Sequence, residues 1–104
     1  MQTAEQVDIK RMRHQAGAAA GLLRALSHEA RLMVLCELVE GERTAGALVA
    51  SSGLSQSALS QHLAKLREEG LVATRRDGQT VFYRLGDRRA ARLVGVLHDL
   101  FCQT

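Results

Sequence analysis

The chain of 104 residues contains no proline and only three aromatic residues. Because proline is the residue that most strongly interrupts a helix, its absence leaves long helices possible along the whole chain. With so few aromatic side chains, leucine, alanine and valine must form the core. A chain of this length, 46% of it hydrophobic, is sufficient for one domain, which we predict to span residues 1–104.

Long hydrophobic runs are also missing. The longest uncharged apolar run, Ala16–Leu23, is far shorter than the roughly 20 residues that a membrane-spanning helix needs. The N-terminus is polar and has no apolar segment followed by a cleavage site, so no secretory signal is predicted. We therefore expect a cytoplasmic protein without a membrane partner.

Acidic residues are scarce in one part of the chain. Residues 55–92 include eight basic and four acidic residues, whereas the rest of the chain includes six basic and seven acidic ones. The net charge of the whole chain is +3. Positive charge concentrated in one part favours a polyanionic partner such as nucleic acid. The alternative is that surplus arginine serves only solubility.

Apolar residues at helical spacing predict a first helix from about residue 8 to 26. Its centre reads AGAAAG, and such small side chains allow another helix to approach closely, from the same chain or from a partner subunit. A second helix is predicted to begin after Ser27 as N-cap and to end at Gly41 in a left-handed cap. It is apolar nearly all round and should be buried. Near the end of the chain, Asp87 can cap a last helix that reaches about Cys102.

A helix-turn-helix is predicted at about residues 44–69. It consists of a short helix capped by Thr44, a turn at Ser52-Gly53, and a longer helix within Leu54–Gly70 that carries leucines on its core-facing side. The other side of this longer helix is polar with little charge, which suits the reading of base edges, although an ordinary surface helix would also be polar. The candidate DNA-binding residues on it are Gln56, Ser57, Ser60, Gln61 and Lys65. His62 lies nearer the leucine side and could brace the helix or touch a phosphate.

Two strand-like runs follow, Leu71–Arg76 and Gln79–Leu85, joined at Asp77-Gly78 in a predicted hairpin wing of about residues 71–85. The wing adds Arg75, Arg76 and Gln79 to the candidate DNA-binding residues, since a basic tip can enter a minor groove or lie along phosphates. Arginine on an edge strand can also serve only to prevent aggregation. The predicted fold is mainly α (α+β): a winged helix-turn-helix with five helices and a two-stranded β-hairpin wing.

At this point the sequence resembles the ArsR-type bacterial repressors over nearly its whole length. The resemblance rests on LSHEARLMVLCELVEGE (Leu26–Glu42), LSQSALSQHLAKLREEGLV (Leu54–Val72) and RRDGQTVFYRL (Arg75–Leu85). One departure is Glu29, where the family usually has proline at a helix N-terminus. The resemblance implies a homodimer held by the helices at about 8–26 and 87–102, and it implies binding to a pseudo-palindromic operator in double-stranded DNA until a chemical signal releases it.

Metal ligands of the kinds used by related repressors are incomplete here. The first helix of the helix-turn-helix reads ERTAGAL and lacks the Cys-x-Cys of thiolate sensors. In the zinc-type pattern on the last helix, Asp87 and His98 are present, but Arg89 replaces the first histidine and Phe101 stands where a further ligand would follow. An incomplete ligand set cannot close a site, so no metal and no cofactor is predicted.

The two cysteines, Cys36 and Cys102, allow two interpretations. From composition alone, Cys36 in an apolar helix is a small core hydrophobe. However, cytosolic cysteine pairs that oxidise are usually redox sensors, and the contexts of these two resemble those of the persulfide- and redox-sensing (BigR- and SqrR-like) branch of the family. That resemblance implies sensing thiols that a low-molecular-weight persulfide, acting as inducer, converts to a disulfide or a longer polysulfide bridge.

The product depends on distance, since a disulfide needs Cα atoms within about 7 Å. A metal-responsive or general oxidant-responsive repressor of the same family is the alternative. A thiol enzyme would need a base or arginine beside a low-pKa cysteine, and no such motif surrounds either thiol, so no enzymatic activity is predicted. A pure protein-interaction module would not need the basic wing.

Overall fold

The computed structural model describes residues 6–102, and it has five helices and three short strands in that range. Their bounds are α1 Ile9–Leu26, α2 Glu29–Val39, β1 Arg43–Thr44, α3 Ala45–Ser52, α4 Gln56–Glu68, β2 Val72–Asp77, β3 Thr80–Leu85 and α5 Arg88–Phe101. The predicted winged helix-turn-helix is thereby confirmed: α3 and α4 form the helix-turn-helix, and β2 and β3 form the wing. No helix in the described range has both the length and the apolar character needed to cross a membrane.

Helix starts follow the capping residues, with one correction. The hydroxyl of Thr44 accepts the N–H of Ala47 at 3.1 Å and the carboxylate of Asp87 accepts the N–H of Arg89 at 2.9 Å, as predicted for α3 and α5. The prediction that Ser27 caps α2 is wrong. Ser27 still has helical φ and ψ and ends α1, so His28 is the first extended residue and caps α2 through its Nδ1.

The end of α2 also differs from expectation. The helix stops at Val39 with Glu40 as a C-cap in ordinary right-handed geometry, and Gly41 follows with φ +143°. That angle favours glycine but is far from the left-handed helical value, so the predicted left-handed cap does not form.

The sheet contains one strand more than the predicted wing. β3 lies between β2 and β1, with Arg43 opposite Tyr83 and Thr44 opposite Phe82. β1 was not predicted, because two residues are too few to show the alternation of apolar and polar side chains that indicates a strand. The hairpin turn is Gly78-Gln79 rather than Asp77-Gly78, because Asp77 pairs with Thr80 and only Gly78 has the positive φ, +64°, that such a turn needs.

The core lies between α2, α3, α4, α5 and the start of β2. Leu35 of α2, Leu48 of α3 and Leu66 of α4 have no exposed side-chain surface. In contrast, α1 buries only Ala25 and Leu26, near its end. Large apolar side chains of α1 and α5 are therefore left exposed, among them Ile9, Met12, Leu23, Val96, Leu100 and Phe101.

Candidate nucleic-acid interface and cysteine pair

The polar side of α4 faces solvent as a continuous surface. Its leucines, Leu59, Leu63 and Leu66, are at most 2% exposed and anchor the helix to the core. Because these leucines hold one side, the opposite side must project outward. The candidate base-reading residues Gln56, Ser57, Ser60 and Gln61 are all exposed there.

Lys65 lies at the edge of this surface and forms only weak ion pairs. Its Nζ is 3.8 Å from the carboxylate of Glu68 and 4.0 Å from that of Glu69, and all three side chains are substantially exposed. Exposed pairs of this length contribute little to stability. Lys65 can therefore leave them for a phosphate at small cost.

His62 occupies the flank of α4 that faces α2. Its ring centroid is 4.6 Å from that of His28, and its side chain is half-buried. Burial, followed by the nearby His28 and Arg31, holds the pKa of His62 below its usual value. His62 therefore belongs to the boundary between α4 and α2 and not to the polar side of α4.

The wing separates its two neighbouring arginines. Arg75 lies opposite Phe82 in the ladder, and its guanidinium stacks over that ring at 4.3 Å. Its Nε donates to both carboxylate oxygens of Glu42, at 3.0 and 2.9 Å, and this hydrogen bond lowers the pKa of Glu42. Because successive strand residues face opposite sides, Arg76 points away from this pair.

Arg76 and Gln79 are exposed at the wing tip, and Arg76 forms no ion pair with any residue in the range 6–102. The structure thus places two of the three wing candidates at an open tip and holds the third, Arg75, against Glu42. Sequence reasoning missed Glu42, which is 33 residues from Arg75 in the chain. The only signal for it was an acidic residue in the predicted loop after α2.

The two cysteines lie on helices that pack against each other, Cys36 in α2 and Cys102 at the end of α5. Cys36, in the middle of α2, is half-buried against the core, and Cys102 is exposed at the C-cap of α5. The pKa of the Cys36 thiol is raised, first by burial, then by the charge of Cys102 and that of Glu37. The helices that carry the two cysteines, α2 and α5, pack against each other, although Cys36 and Cys102 are 66 positions apart in the sequence.

Asp87 and Arg89, which occupy two positions of the zinc-type pattern, pair with each other at the start of α5. The carboxylate of Asp87 caps α5 and forms a 2.7 Å ion pair with Arg89, the residue that replaces the first histidine of the zinc pattern. This pair lowers the pKa of Asp87 and raises that of Arg89. Between residues 6 and 102, no three His, Cys, Asp or Glu side chains are grouped so that they could hold a metal ion.

Comparison with known proteins gives one consistent family. Residues 28–74 match the family model described as bacterial regulatory protein, arsR family. The chain is 48% identical over 91 residues to the biofilm growth-associated repressor of Xylella fastidiosa, covering 88% of this chain and 80% of that protein. It is 44% identical over 97 residues to the transcriptional activator HlyU of Vibrio cholerae, covering 93% and 90%.

Among solved structures, the crystal structure of the transcriptional repressor BigR from Xylella fastidiosa superimposes with a TM-score of 0.89 at 45% identity, covering 94% of this chain and all of that one. Matches of this identity and coverage establish common ancestry along nearly the whole domain. The chain therefore belongs to the ArsR family of bacterial regulatory proteins, and it is a DNA-binding transcriptional regulator rather than an enzyme.

Proposed function

We propose that this regulator is a homodimeric repressor that leaves its operator when Cys36 and Cys102 become cross-linked by reactive sulfur. The observation that carries the proposal is that the two cysteines lie on helices that pack against each other, Cys36 in α2 and Cys102 at the end of α5. The cytoplasm, where operator DNA and a reducing environment coexist, is the compartment that suits such a thiol pair.

In the proposed complex, the polar side of α4 enters the major groove of a pseudo-palindromic operator. Exposed amide and hydroxyl side chains there can donate to and accept from base edges, and Lys65 can reach a phosphate. At the wing, Arg76 and Gln79 are available for the minor groove or its phosphates. Arg75 joins them only if its ion pair with Glu42 opens. The base-reading set remains Gln56, Ser57, Ser60 and Gln61.

The homodimer is supported by apolar surface that one chain leaves uncovered. On α1, Ile9 and Leu23 are 61% and 58% exposed, and on α5, Leu100 and Phe101 are 69% and 81% exposed. Apolar side chains concentrated on two helices mark an interaction surface. Pairing these helices with those of a second copy would place two copies of α4 side by side, as a pseudo-palindrome requires.

The chemistry can be assigned by thiol environment. Cys102 is exposed and accessible, whereas burial and the charge of Cys102 disfavour the thiolate of Cys36. We therefore assign the first attack to Cys102 and the closing step to Cys36.

In the first step the Cys102 thiolate attacks the sulfane sulfur of a persulfide, forming a Cys102 persulfide and expelling the donor thiolate. The Cys36 thiolate then attacks the cysteine sulfur of Cys102, forming the disulfide and expelling hydrosulfide. Two thiols are oxidised, and one persulfide is reduced to a thiol and hydrogen sulfide. If a second persulfide first extends the Cys102 adduct by one sulfur, attack by Cys36 on its middle sulfur gives a trisulfide, again with loss of hydrosulfide.

A bridge between α2 and α5 would couple the sensing pair to DNA. α2 packs against both α3 and α4, while α5 carries the exposed dimer surface, so a change in the α2–α5 distance alters the spacing of the two α4 helices. Release by tenfold to a hundredfold needs only about 1.4–3 kcal/mol of coupling free energy.

The test exposes the protein in parallel to glutathione persulfide, hydrogen peroxide and zinc, and measures intact mass and operator binding. We expect persulfide to give a protein lighter by about 2 Da for a disulfide or heavier by about 30 Da for a trisulfide, with loss of operator binding. The single variants Cys36→Ser and Cys102→Ser should stay bound. No bridge after persulfide treatment, or full release of the Cys36→Ser/Cys102→Ser double variant, would refute the mechanism.

The treatments with peroxide and with zinc distinguish the persulfide sensor from the two alternative functions. Equal bridging by peroxide at matched concentration would indicate a general oxidant sensor, and release by zinc without a mass change in the cysteines would indicate a metal sensor. Either result overturns the persulfide assignment and leaves the DNA-binding role intact.

A further inference from the structure

We propose that a groove between α4 and the junction of α1 with α2 binds a phosphate of the operator backbone, with Arg31 as its central donor. This junction groove is lined by Arg24, Ala25, Ser27, Arg31, Lys65 and Glu69 and has a volume of about 370 Å³. The inference rests on the proposed DNA-binding role of α4 and adds a contact from the α1–α2 junction, outside the helix-turn-helix and the wing.

The charge of the junction groove is strongly positive. Its lining includes two arginines and a lysine, and its one carboxylate, that of Glu69, is 4.0 Å from the Lys65 amine in an exposed pair. Neither Arg24 nor Arg31 forms an ion pair with another residue in the described range. Guanidinium groups without a carboxylate partner in a concave site are suited to bind an oxyanion.

Arg31 gives the most specific indication. It is half-buried, and its Nε is shielded from solvent without a hydrogen-bond acceptor among residues 6–102. A buried donor normally has a partner, and leaving one unsatisfied costs free energy. Because other cations lie beside Arg31, a negatively charged phosphate oxygen is the acceptor that best suits this donor.

Two histidines, His28 and His62, lie next to lining residues of the groove, His28 after Ser27 in the chain and His62 three residues before Lys65 on α4. The His28 Nδ1 accepts the N–H of Ala30, so only its other nitrogen is available to donate. His62 lies 4.6 Å from that ring, and its pKa is lowered first by burial and then by His28 and Arg31. An anion bound by Arg31 would offset the positive charge of that guanidinium beside His62.

The position of the groove relative to α4 explains why the anion is a DNA phosphate. His62, Lys65 and Glu69 follow at three- and four-residue spacing and so line one flank of α4, beside its polar side. A recognition helix in a major groove has a phosphate backbone along each flank. Arg31 of α2 and Lys65 of α4 would then both bind that backbone. Together they would determine how deeply α4 enters the major groove and at what tilt.

The test is the salt dependence of binding to an operator duplex and to an unrelated duplex. For Arg31→Gln and for Lys65→Gln we expect the slope of log affinity against log salt to fall by about one per half-site, with affinity weakened roughly tenfold on both duplexes. Arg88→Gln is the matched control, because Arg88 is an exposed arginine on α5 outside the groove, and its slope should stay at the wild-type value.

A second measurement makes the assignment independent of folding. Replacing single phosphates of the operator by neutral methylphosphonate should reveal one position per half-site that weakens wild-type binding but has no further effect on Arg31→Gln. An unchanged slope in Arg31→Gln, or an equal loss at that position in both proteins, overturns the inference. So does saturable binding of inorganic phosphate to the DNA-free protein with loss of the site in Arg31→Gln, since this would indicate a small-anion site.

The two proposals can fail separately. If wild-type protein forms no operator complex, the DNA-binding role fails. If it binds and responds to persulfide but Arg31→Gln retains the wild-type slope, only the junction groove assignment fails.

Discussion

At the scale of single residues, Asp87 has two functions that can be separated. Its carboxylate accepts the N–H of Arg89 at 2.9 Å as the N-cap of α5 and also pairs with the Arg89 guanidinium at 2.7 Å. We expect Asp87→Ala to lower the free energy of unfolding by about 1 kcal/mol, because the cap is lost. Asp87→Asn keeps a capping oxygen and should lose only a few tenths of a kcal/mol. Urea denaturation of the three proteins measures both differences.

The same residue predicts a pH dependence with a definite sign. The pKa of Asp87 is lowered in the folded state, first by its side-chain hydrogen bond with Arg89. A carboxylate with a lowered folded pKa stabilises the fold above the unfolded value, about 3.9, and this contribution is lost as the pH falls below it. The difference between wild type and Asp87→Asn should therefore shrink under acid conditions. A difference that grows as the pH falls would contradict the assignment.

Local signals in the sequence identified most of the residues at which helices and strands begin and end. Contacts between residues far apart in the chain could not be identified in this way. Thr44 and Asp87 could be predicted as caps because the residues that follow each of them favour a helix. This signal lies within four positions of the capping residue. Ser27 and His28 can each cap, and the choice depends on how far α1 continues, which its packing decides. The partner of Arg75 and the surroundings of Arg31 could not be read from sequence, since they depend on where the chain brings Glu42 and α4.

At the scale of elements, the wing is tied to the loop that follows α2. Glu42 lies three residues after the end of α2 and holds Arg75 of β2, while β1, next in the chain, pairs with β3. The polar side of α4 was predictable because leucines at helical spacing fix its orientation. The attachment of the wing to α2 was not, because β1 is two residues long and Glu42 lies in a loop.

This attachment predicts the effect of Glu42→Gln. The substitution removes a negative charge beside the wing and frees Arg75, whereas the exposed ion pair that it breaks contributes little to stability. We expect operator affinity to rise several-fold at low salt, with a steeper salt dependence by up to about one unit per half-site. Gel shifts over a salt series measure both quantities.

Glu40→Gln is the matched control, since Glu40 is also exposed, is two residues away and pairs with Arg43 instead. It should change affinity much less. A loss of operator affinity in Glu42→Gln would contradict this expectation. It would show that Glu42 favours DNA binding by holding the wing in place more than freeing Arg75 does.

At the scale of the whole molecule, the uncovered apolar surface connects α1 with α5. A shallow pocket of about 310 Å³ is lined by Leu22 of α1 and by Leu93 and Val96 of α5, together with two arginines. Exposed apolar side chains extend from this pocket in both directions, to Leu23 and to Leu100. A continuous surface of this kind is what a second copy of the chain would cover.

We therefore expect Leu23→Glu and Val96→Glu to convert the proposed dimer to a monomer, because each places a charge in the apolar contact. Two linked half-site contacts bind far more tightly than one, so operator affinity should fall by about a hundredfold or more. Sedimentation equilibrium measures the oligomeric state, and binding to full and half operators measures the loss. The monomers should bind both duplexes with equal, weak affinity.

Met33→Glu is the control, because Met33 is 53% exposed on α2, comparable to Val96 at 51%, and lies beside α3 instead of on the α1–α5 surface. It should leave the oligomeric state unchanged. If Leu23→Glu and Val96→Glu remain dimeric, another surface joins the subunits. A Cys36–Cys102 bridge would then have to act within one chain, through the packing of α2 on α3 and α4, and persulfide treatment would weaken half-operator binding as much as full-operator binding. With the proposed interface, the bridge changes the spacing of two α4 helices, so only full-operator binding should be lost.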